Sequence, residues 1–486
     1  MDSDSEYRRV SSGTPGLDEV LDGGLIRGQT TILSGGPGTG KTVLALQFLA
    51  AADGDGLYIG FEEREEDLRR NAESLGIDTS NITILDLSPR EGEFFAERTY
   101  TVLSPDEAEG GDILERISTA ISETAPNRLV IDPLSELRDL LPDGFQFRRN
   151  ITSFINELKE REITTICTTQ PRTGTGAADL EYLGDATVEL ERTVNNRTLE
   201  VTKFRGSSSA FGKHTYRIED GVGGLVYPKL VPSEHEREVP REQLSTNDPR
   251  LDALLGGGLE RGSVTVLSGP SGVGKSTLAS VLLKAAAERG DTPVGFLFEE
   301  LKSDFVQRSV DLDISLTGHV ETGALLLDEV EALTQSPDEF AKRVRQLVEE
   351  EGVEFLVLDG IPGYRQGLRG DGSEAELTRE LHALCRYLKR MGVTTVLIEE
   401  VARITGNLSA TDREISYLAD NIVFLRYIEV EGSIEKATGV LKKRYSGFER
   451  SMRELSIDSD GVHIGERLTG LRGVLTGIPD TTERRP

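Results

Sequence analysis

Residues 35–42 read Gly35-Gly36-Pro37-Gly38-Thr39-Gly40-Lys41-Thr42. An apolar run, Gln29 to Ser34 (QTTILS), precedes them, and a helix-like run, Lys41 to Ala51 (KTVLALQFLAA), follows. A G-x-x-x-x-G-K-S/T stretch between a strand and a helix is the phosphate-binding P-loop pattern. The glycines let backbone N–H groups curl around phosphate oxygens, and the helix N-terminus adds partial positive charge. The lysine reaches the β- and γ-phosphates, and the hydroxyl of Thr42 is a ligand for magnesium. These residues predict an ATP site with Mg2+.

The same reading occurs twice. Thr14-Pro15-Gly16-Leu17-Asp18 leads through Gly23-Gly24-Leu25 to the first loop. Asp248-Pro249-Arg250-Leu251-Asp252 leads through Gly257-Gly258-Leu259 to Gly269-Pro270-Ser271-Gly272-Val273-Gly274-Lys275-Ser276, which Thr277 follows. Leu17 and Leu251, Gly24 and Gly258, and Lys41 and Lys275 are each separated by 234 positions. A repeat of that length is a duplicated domain.

Each copy then alternates strand and helix patterns, which predicts a mostly parallel sheet with helices on both faces. In the first copy the strands are Leu57 to Phe61, Ile82 to Leu87, Arg128 to Asp132 and Ile163 to Thr169. Beyond Ala186 only hairpin-like strands remain, so each domain is expected to end in antiparallel strands. The expected division is a first ATPase domain at 1–230, a charged, proline-containing linker at 231–247, a second ATPase domain at 248–479 and a disordered tail at 480–486. Between Glu63 and Asp132 there are 69 positions, and between Glu300 and Asp359 there are 59. The ten extra residues are assigned to a surface excursion near 88–105.

Composition bounds the setting. The chain of 486 residues carries 84 acidic and 55 basic side chains, a formal charge of −29. Lysine is scarce, 13 against 42 arginines, which fits a protein kept soluble in high salt, as in the cytoplasm of a halophilic archaeon. The acidity weighs against duplex DNA as a partner. Cys167 and Cys385 sit in apolar patterns and read as buried reduced thiols. There is no apolar run of membrane-spanning length and no secretory signal pattern, so the expected location is cytoplasmic, with no membrane partner.

ATP chemistry also needs a second acidic group at the metal, a way to activate water and positive charge near the γ-phosphate. Asp132 and Asp359, each ending a buried apolar strand expected beside the P-loop strand, are the metal-side acids, with Thr42 and Ser276. Glu62-Glu63 and Glu299-Glu300, each following an apolar strand, are the candidate general bases. Helix-capping acids would occupy the same places, and the sequence does not say which member of a pair faces water. Lys203-Phe204-Arg205 and Lys442-Lys443-Arg444 recur 239 positions apart. Alternate residues on a strand share a face, so Lys203 with Arg205, and Lys442 with Arg444, could reach a neighbouring subunit's ATP. Solvated edge-strand charge is the plain alternative.

On these residues the chain resembles the KaiC family of RecA-superfamily ATPases, from about Ser12 to Pro479. The segments TPGLDEVLDGGLIRGQTTILSGGPGTGKT, GFEEREEDLRRNAESLGID, VIDPLSELR and LADNIVFLRYIEVEG, with the K-x-R strands, carry the likeness. The resemblance implies two tandem RecA-like P-loop α/β domains and a homohexameric double ring. It places ATP between subunits, with the paired glutamates catalytic and K-x-R acting in trans. It implies weak ATPase activity and, in some members, Ser/Thr autokinase activity in the second domain, within a signalling or timing switch that answers to an unidentified protein partner. Ser416 matches the family's phosphorylated serine, whereas Tyr417 replaces the adjoining threonine. Tyr445, where glycine is usual, and Gln170, where Glu400 keeps the family's glutamate, are further departures.

Two other functions share the same core. A DNA motor would want basic and aromatic residues in the stretches 172–185 and 403–420, which carry one and two basic residues and one aromatic each. A small-molecule kinase would need an acceptor domain that the sequence does not show.

Overall fold

The computed structural model describes residues 8–88, 105–139, 144–170, 183–240, 242–368, 374–401, 416–430, 432–469, 471–472 and 480–481. The chain forms two compact units, Met1–Lys229 and Leu230–Pro486.

In the first unit the P-loop strand β1 (Thr30–Gly35) is buried at every residue and runs into helix α1 (Lys41–Ala50). The chain continues through β2 (Gly56–Gly60), α2 (Glu65–Ser74), β3 (Ile82–Asp86), α3 (Pro105–Thr124), β4 (Arg128–Asp132), α4 (Gly144–Glu160) and β5 (Thr164–Thr169). It closes with β6 (Ala186–Arg192), β7 (Arg197–Phe204), β8 (His214–Glu219) and β9 (Gly223–Tyr227). The sheet order is β9-β8-β7-β6-β1-β5-β4-β2-β3. Strands β6 through β3 in that order are parallel, and β7, β8 and β9 are added antiparallel.

The second unit repeats the plan. Its P-loop strand β10 (Val264–Gly269) leads into α5 (Lys275–Arg289). Then come β11 (Thr292–Leu297), α6 (Lys302–Asp311), β12 (Leu326–Glu329), α7 (Pro337–Glu349), β13 (Val353–Asp359), α8 (Glu374–Arg390) and β14 (Thr394–Glu400). The antiparallel end is β15 (Asn421–Val430), β16 (Ser433–Lys443), β17 (Arg453–Asp458) and β18 (Gly461–Arg467). Its order, β18-β17-β16-β15-β10-β14-β13-β11-β12, matches the first sheet strand for strand.

Parallel strands covered on both faces read as continuous apolar runs because each face needs its own core. In the first unit Leu33, Tyr58 and Val130 pack under α1, while Ile32, Leu57, Ile59 and Ile131 face α3 and α4. Cys167 and Cys385 are buried free thiols in these cores, as their apolar surroundings imply.

The order of strands corrects one expectation. Asp132 and Asp359 do not end strands beside the P-loop strand: β5 and β14 intervene. Strand adjacency is set by crossovers, which a single-strand apolar pattern does not report.

Two further stretches differ from their composition. The stretch 231–247, charged enough to read as a free tether, packs on the second unit. The Arg237 N–H donates to the Arg390 carbonyl, the His235 ring packs edge-on against Tyr387 at 5.0 Å, and Gln243–Leu244 pair with Leu259–Glu260. Asp480–Thr481, at the start of the stretch expected to be disordered, pair with Leu471–Arg472. Most of the ten-residue excess lies outside the described residues.

Candidate functional site

Both cradles form where a parallel strand turns into a helix whose first N–H groups have no intrahelical partner. Gly40 and Gly274, at φ 90° and 112°, cap these helices in the left-handed region. A Cβ at either would approach an isoleucine Cδ1, that of Ile218 to 2.3 Å or of Ile457 to 2.1 Å. At Gly36 nothing lies within 4 Å, so any need for glycine there comes from a ligand. In the loops, Gly38 and Gly272 also have positive φ.

Lys41 Nζ donates to the carbonyls of Gly35 (2.8 Å) and Gly36 (3.0 Å), and Lys275 Nζ to that of Pro270 (2.8 Å). Burial lowers both ammonium pKa values. Asp132 and Glu62 oppose the shift at Lys41, and Glu400, Asp359 and Glu299 oppose it at Lys275. A desolvated cation facing acids gains by exchanging loop carbonyls for phosphate oxygens.

The predicted metal-side pairs are assembled. Thr42 Oγ1 donates to Asp132 Oδ2 at 2.7 Å, and Ser276 Oγ to Asp359 Oδ1 at 3.1 Å. Helix α1, lying over the sheet, brings Thr42 to a strand two places away. These are hard oxygen donors of the kind Mg2+ takes together with phosphates. Asp359 Oδ2 is buried without a protein partner, which fits a group that meets a hydrated cation. Burial pushes the Asp359 carboxyl up to about 6, with Ser276 lowering it and Glu300 raising it. Among the described residues no set of three or more acidic, histidine or cysteine side chains could hold a metal by itself.

The glutamate pairs divide alike in both copies. Glu63 accepts a hydrogen bond from Asn71, and burial raises its pKa. Glu300 is paired with Arg308, which like Asn71 stands eight positions later. Glu62 is exposed and acts electrostatically on Lys41. Glu299 Oε1 accepts the Gly363 N–H at 3.1 Å and lines a cavity of about 290 Å3 with Lys275, Ser276, Asp359 and Glu400. Gln170, in the place of Glu400, is half-buried just past β5.

The K-x-R residues are not part of the cradle of their own unit. Lys203 Nζ donates to the Gly184 carbonyl at 2.6 Å, and Arg205 lies 3.9 Å from Asp185. Lys442 Nζ donates to the carbonyls of Ser416 (3.0 Å) and Ala419 (2.8 Å), and Arg444 pairs with Asp420 at 3.3 Å. All of these stand at the amino-terminal ends of the parallel strands. The P-loops leave from the opposite, carboxyl ends, where ligands of open α/β sheets bind. The six residues of β1, at about 3.3 Å each, separate the two ends by about 20 Å. Burial lowers the pKa of Lys203 and of Lys442, and the nearby arginine adds to it.

Sequence reasoning missed Asp185 and Asp420, buried acids that hold Lys159 and Lys389 beside the arginines. Their recurrence before β6 and β15 was the available signal. It also missed Tyr58 and Thr168, both of which donate to Asp132. Most of the stretches 172–185 and 403–420 lies outside the described residues, as does Ile415. Among the described residues no helix is long and apolar enough to cross a membrane.

Comparison with known proteins follows the same duplication. A family model described as the KaiC ATPase matches residues 10–230 and again 244–469. The chain is 25% identical over 489 residues to the circadian clock protein KaiC3 of Synechocystis sp. (strain ATCC 27184 / PCC 6803 / Kazusa), covering 97% of this chain and 94% of that one. It is 26% identical over 502 residues to the circadian clock oscillator protein KaiC of Parasynechococcus marenigrum (strain WH8102), covering 99% and 95%.

Proposed function

The chain belongs to the KaiC ATPase family, and from that premise we propose that it is an ATP-hydrolysing switch whose sites are each completed by a second copy. The observation that carries this reading is the separation of each K-x-R strand from the P-loop of its own unit. A closed ring, in which the amino-terminal edge of one sheet meets the cradle of the next, supplies both halves at every interface. A homohexamer is the ring this reading takes.

In each site the loop N–H groups and Lys41 or Lys275 hold the phosphates. Thr42 with Asp132, and Ser276 with Asp359, hold Mg2+, which when bound neutralises charge on the phosphate oxygens. Glu62 and Glu299 are the bases: each acts electrostatically on the cradle lysine, while Glu63 and Glu300 are tied to Asn71 and Arg308. Water oxygen bonds to the γ-phosphorus, the bond to the bridging oxygen breaks, and the glutamate takes the water proton. Lys203 with Arg205, or Lys442 with Arg444, from the neighbouring copy then balance the charge on the departing phosphate.

In the second unit the same chemistry with a serine hydroxyl in place of water makes an autokinase, and Ser416 is the proposed acceptor. Its carbonyl accepts from Lys442, on the strand proposed to meet the next copy, which supports transfer between subunits. The surplus of acidic side chains supports a setting of high salt, in the cytoplasm of a halophilic archaeon. The output is a signal to a protein partner.

Light scattering in high salt with ATP tests the assembly: a hexamer mass is expected, and a monomer would exclude shared sites. Incubation with γ-labelled ATP followed by phosphosite mapping tests the kinase: label at Ser416, lost in Ser416→Ala, is expected. Unlabelled protein that still hydrolyses ATP would leave an ATPase alone.

A further inference from the structure

The two metal-side aspartates are held differently. Asp132 Oδ2 accepts from Thr42 and from Tyr58 Oη, each at 2.7 Å, and its Oδ1 accepts from Thr168 Oγ1. Register locates the counterparts in the second sheet. Gly60 stands beside Asp132 and Leu297 beside Asp359, so Tyr58 corresponds to Gly295. Asp359 stands beside Ile398, so Thr168 corresponds to Ile398. Neither Gly295 nor Ile398 carries a side-chain donor.

The tyrosine is accommodated by a second local feature. A Cβ on Gly60 would lie 2.8 Å from the Tyr58 ring, so the ring fills the room that the absent side chain leaves. In the second unit the order is reversed. Gly295 has no side chain, Leu297 does, and a Cβ on Gly295 would lie 2.9 Å from Leu327. Tyr58 is 2% exposed beneath α1, and its hydroxyl stays protonated because burial and Asp132 raise its pKa far above the ordinary value.

Resting on the ATPase reading above, we propose that Tyr58 and Thr168 are positioning residues that clamp Asp132 for Mg2+ in the first unit, a device the second unit lacks. A carboxylate fixed through both oxygens is already oriented when the cation arrives, so less ordering has to accompany binding. Partners that orient a metal-site ligand commonly change metal affinity by about 10–100-fold when removed. The clamp gives the two units different demands for the divalent cation. The first retains Mg2+-nucleotide at cation levels where the second releases it.

The test uses the full chain carrying Lys275→Ala, so that the first unit alone binds a fluorescent ATP analogue. Affinity is measured in Mg2+ and in EDTA, and the ratio of the two is the readout. Tyr58→Phe keeps the ring and removes the hydroxyl, and it is expected to lower that ratio about tenfold with the EDTA affinity unchanged. Thr168→Val, which leaves the ring packing alone, should act in the same direction, and Thr168→Ser should restore the ratio. A ratio equal to the parent's in both Tyr58→Phe and Thr168→Val overturns the clamp. So does an equal loss with and without Mg2+, which marks a structural role only. A parent chain that binds no better in Mg2+ than in EDTA would overturn the ATPase reading together with the clamp.

Discussion

Asp132 in the first unit accepts from three hydroxyls, those of Thr42, Tyr58 and Thr168, whereas Asp359 in the second accepts from Ser276 and keeps a buried oxygen without a partner. The backbones around them are the same nine-strand design. A duplicated fold conserves the position of a carboxylate more readily than its surroundings, because strand register fixes the one and individual side chains fix the other. The first aspartate is satisfied before any ligand arrives. The second is held through one oxygen and carries its charge at a desolvation cost.

The largest effects should separate the units completely. Lys41→Ala should weaken ATP binding in the first unit by more than about a hundredfold and spare the second, and Lys275→Ala should do the reverse. Equilibrium binding with a fluorescent nucleotide should then read one set of sites in each variant. Two sets retained in either variant would break the assignment.

The next effect concerns the nucleotide-free fold. Asp132→Asn removes the charge that three hydroxyls address, and each such bond is worth about 1.5–3 kcal/mol. Urea unfolding should show a loss on the order of 3 kcal/mol for Asp132→Asn. At pH 7 Asp359→Asn, which removes a charge held at a burial cost, should leave stability unchanged or raise it, by at most about 3 kcal/mol. Equal losses would erase the contrast between the two sites.

Acid should act on the second unit with a definite sign. The folded pKa of Asp359, about 6, lies above its ordinary 3.8, so the native state binds the proton more tightly than the unfolded chain. Stability therefore falls as pH rises from about 4 to about 6 and is level above that. Going from pH 7 to pH 5 should stabilise the apo second unit by about 1.4 kcal/mol through this group. Asp359→Asn should remove that increment, and an unchanged pH profile in the variant would contradict the burial account.

The smallest effect lies at the strand ends. Glu400 contributes electrostatically at Lys275, and Gln170 holds the corresponding place in the first unit without charge. Gln170→Glu should weaken metal-free ATP binding there severalfold, about 1 kcal/mol for an added carboxylate near the phosphates. Glu400→Gln should strengthen it in the second unit.

How much of this the sequence carried depends on how local the cause is. The P-loops were legible because glycine, lysine and hydroxyl must follow one another along the chain. The buried strands of Asp132 and Asp359 were legible for the same reason. Their place in the sheet was not, since β5 and β14 join it from far along the chain. The clamp at Asp132 links residues 58, 132 and 168, and a tyrosine or threonine in an apolar strand carries no local mark of such a role. The stretch 231–247 misled through composition. Its backbone, the His235 ring and the carboxylates of Glu236 and Glu242, paired with Arg390 and Arg261, all contact the second unit, and charge in the sequence does not say whether it is solvated or paired.

The central claim is that each cradle is finished by the K-x-R strand of another copy. Two variants are needed in the Lys275→Ala background, one carrying Glu62→Gln with Glu63→Gln and the other Lys203→Ala with Arg205→Ala. Each alone should be inactive, since every interface lacks one half. Mixed in equal amounts and reassembled, they should recover about a quarter of the activity of the Lys275→Ala parent ring, the fraction of interfaces that pair an intact cradle with an intact strand. ATP hydrolysis is the measurement. No recovery in rings shown by mass to contain both variants would contradict the account.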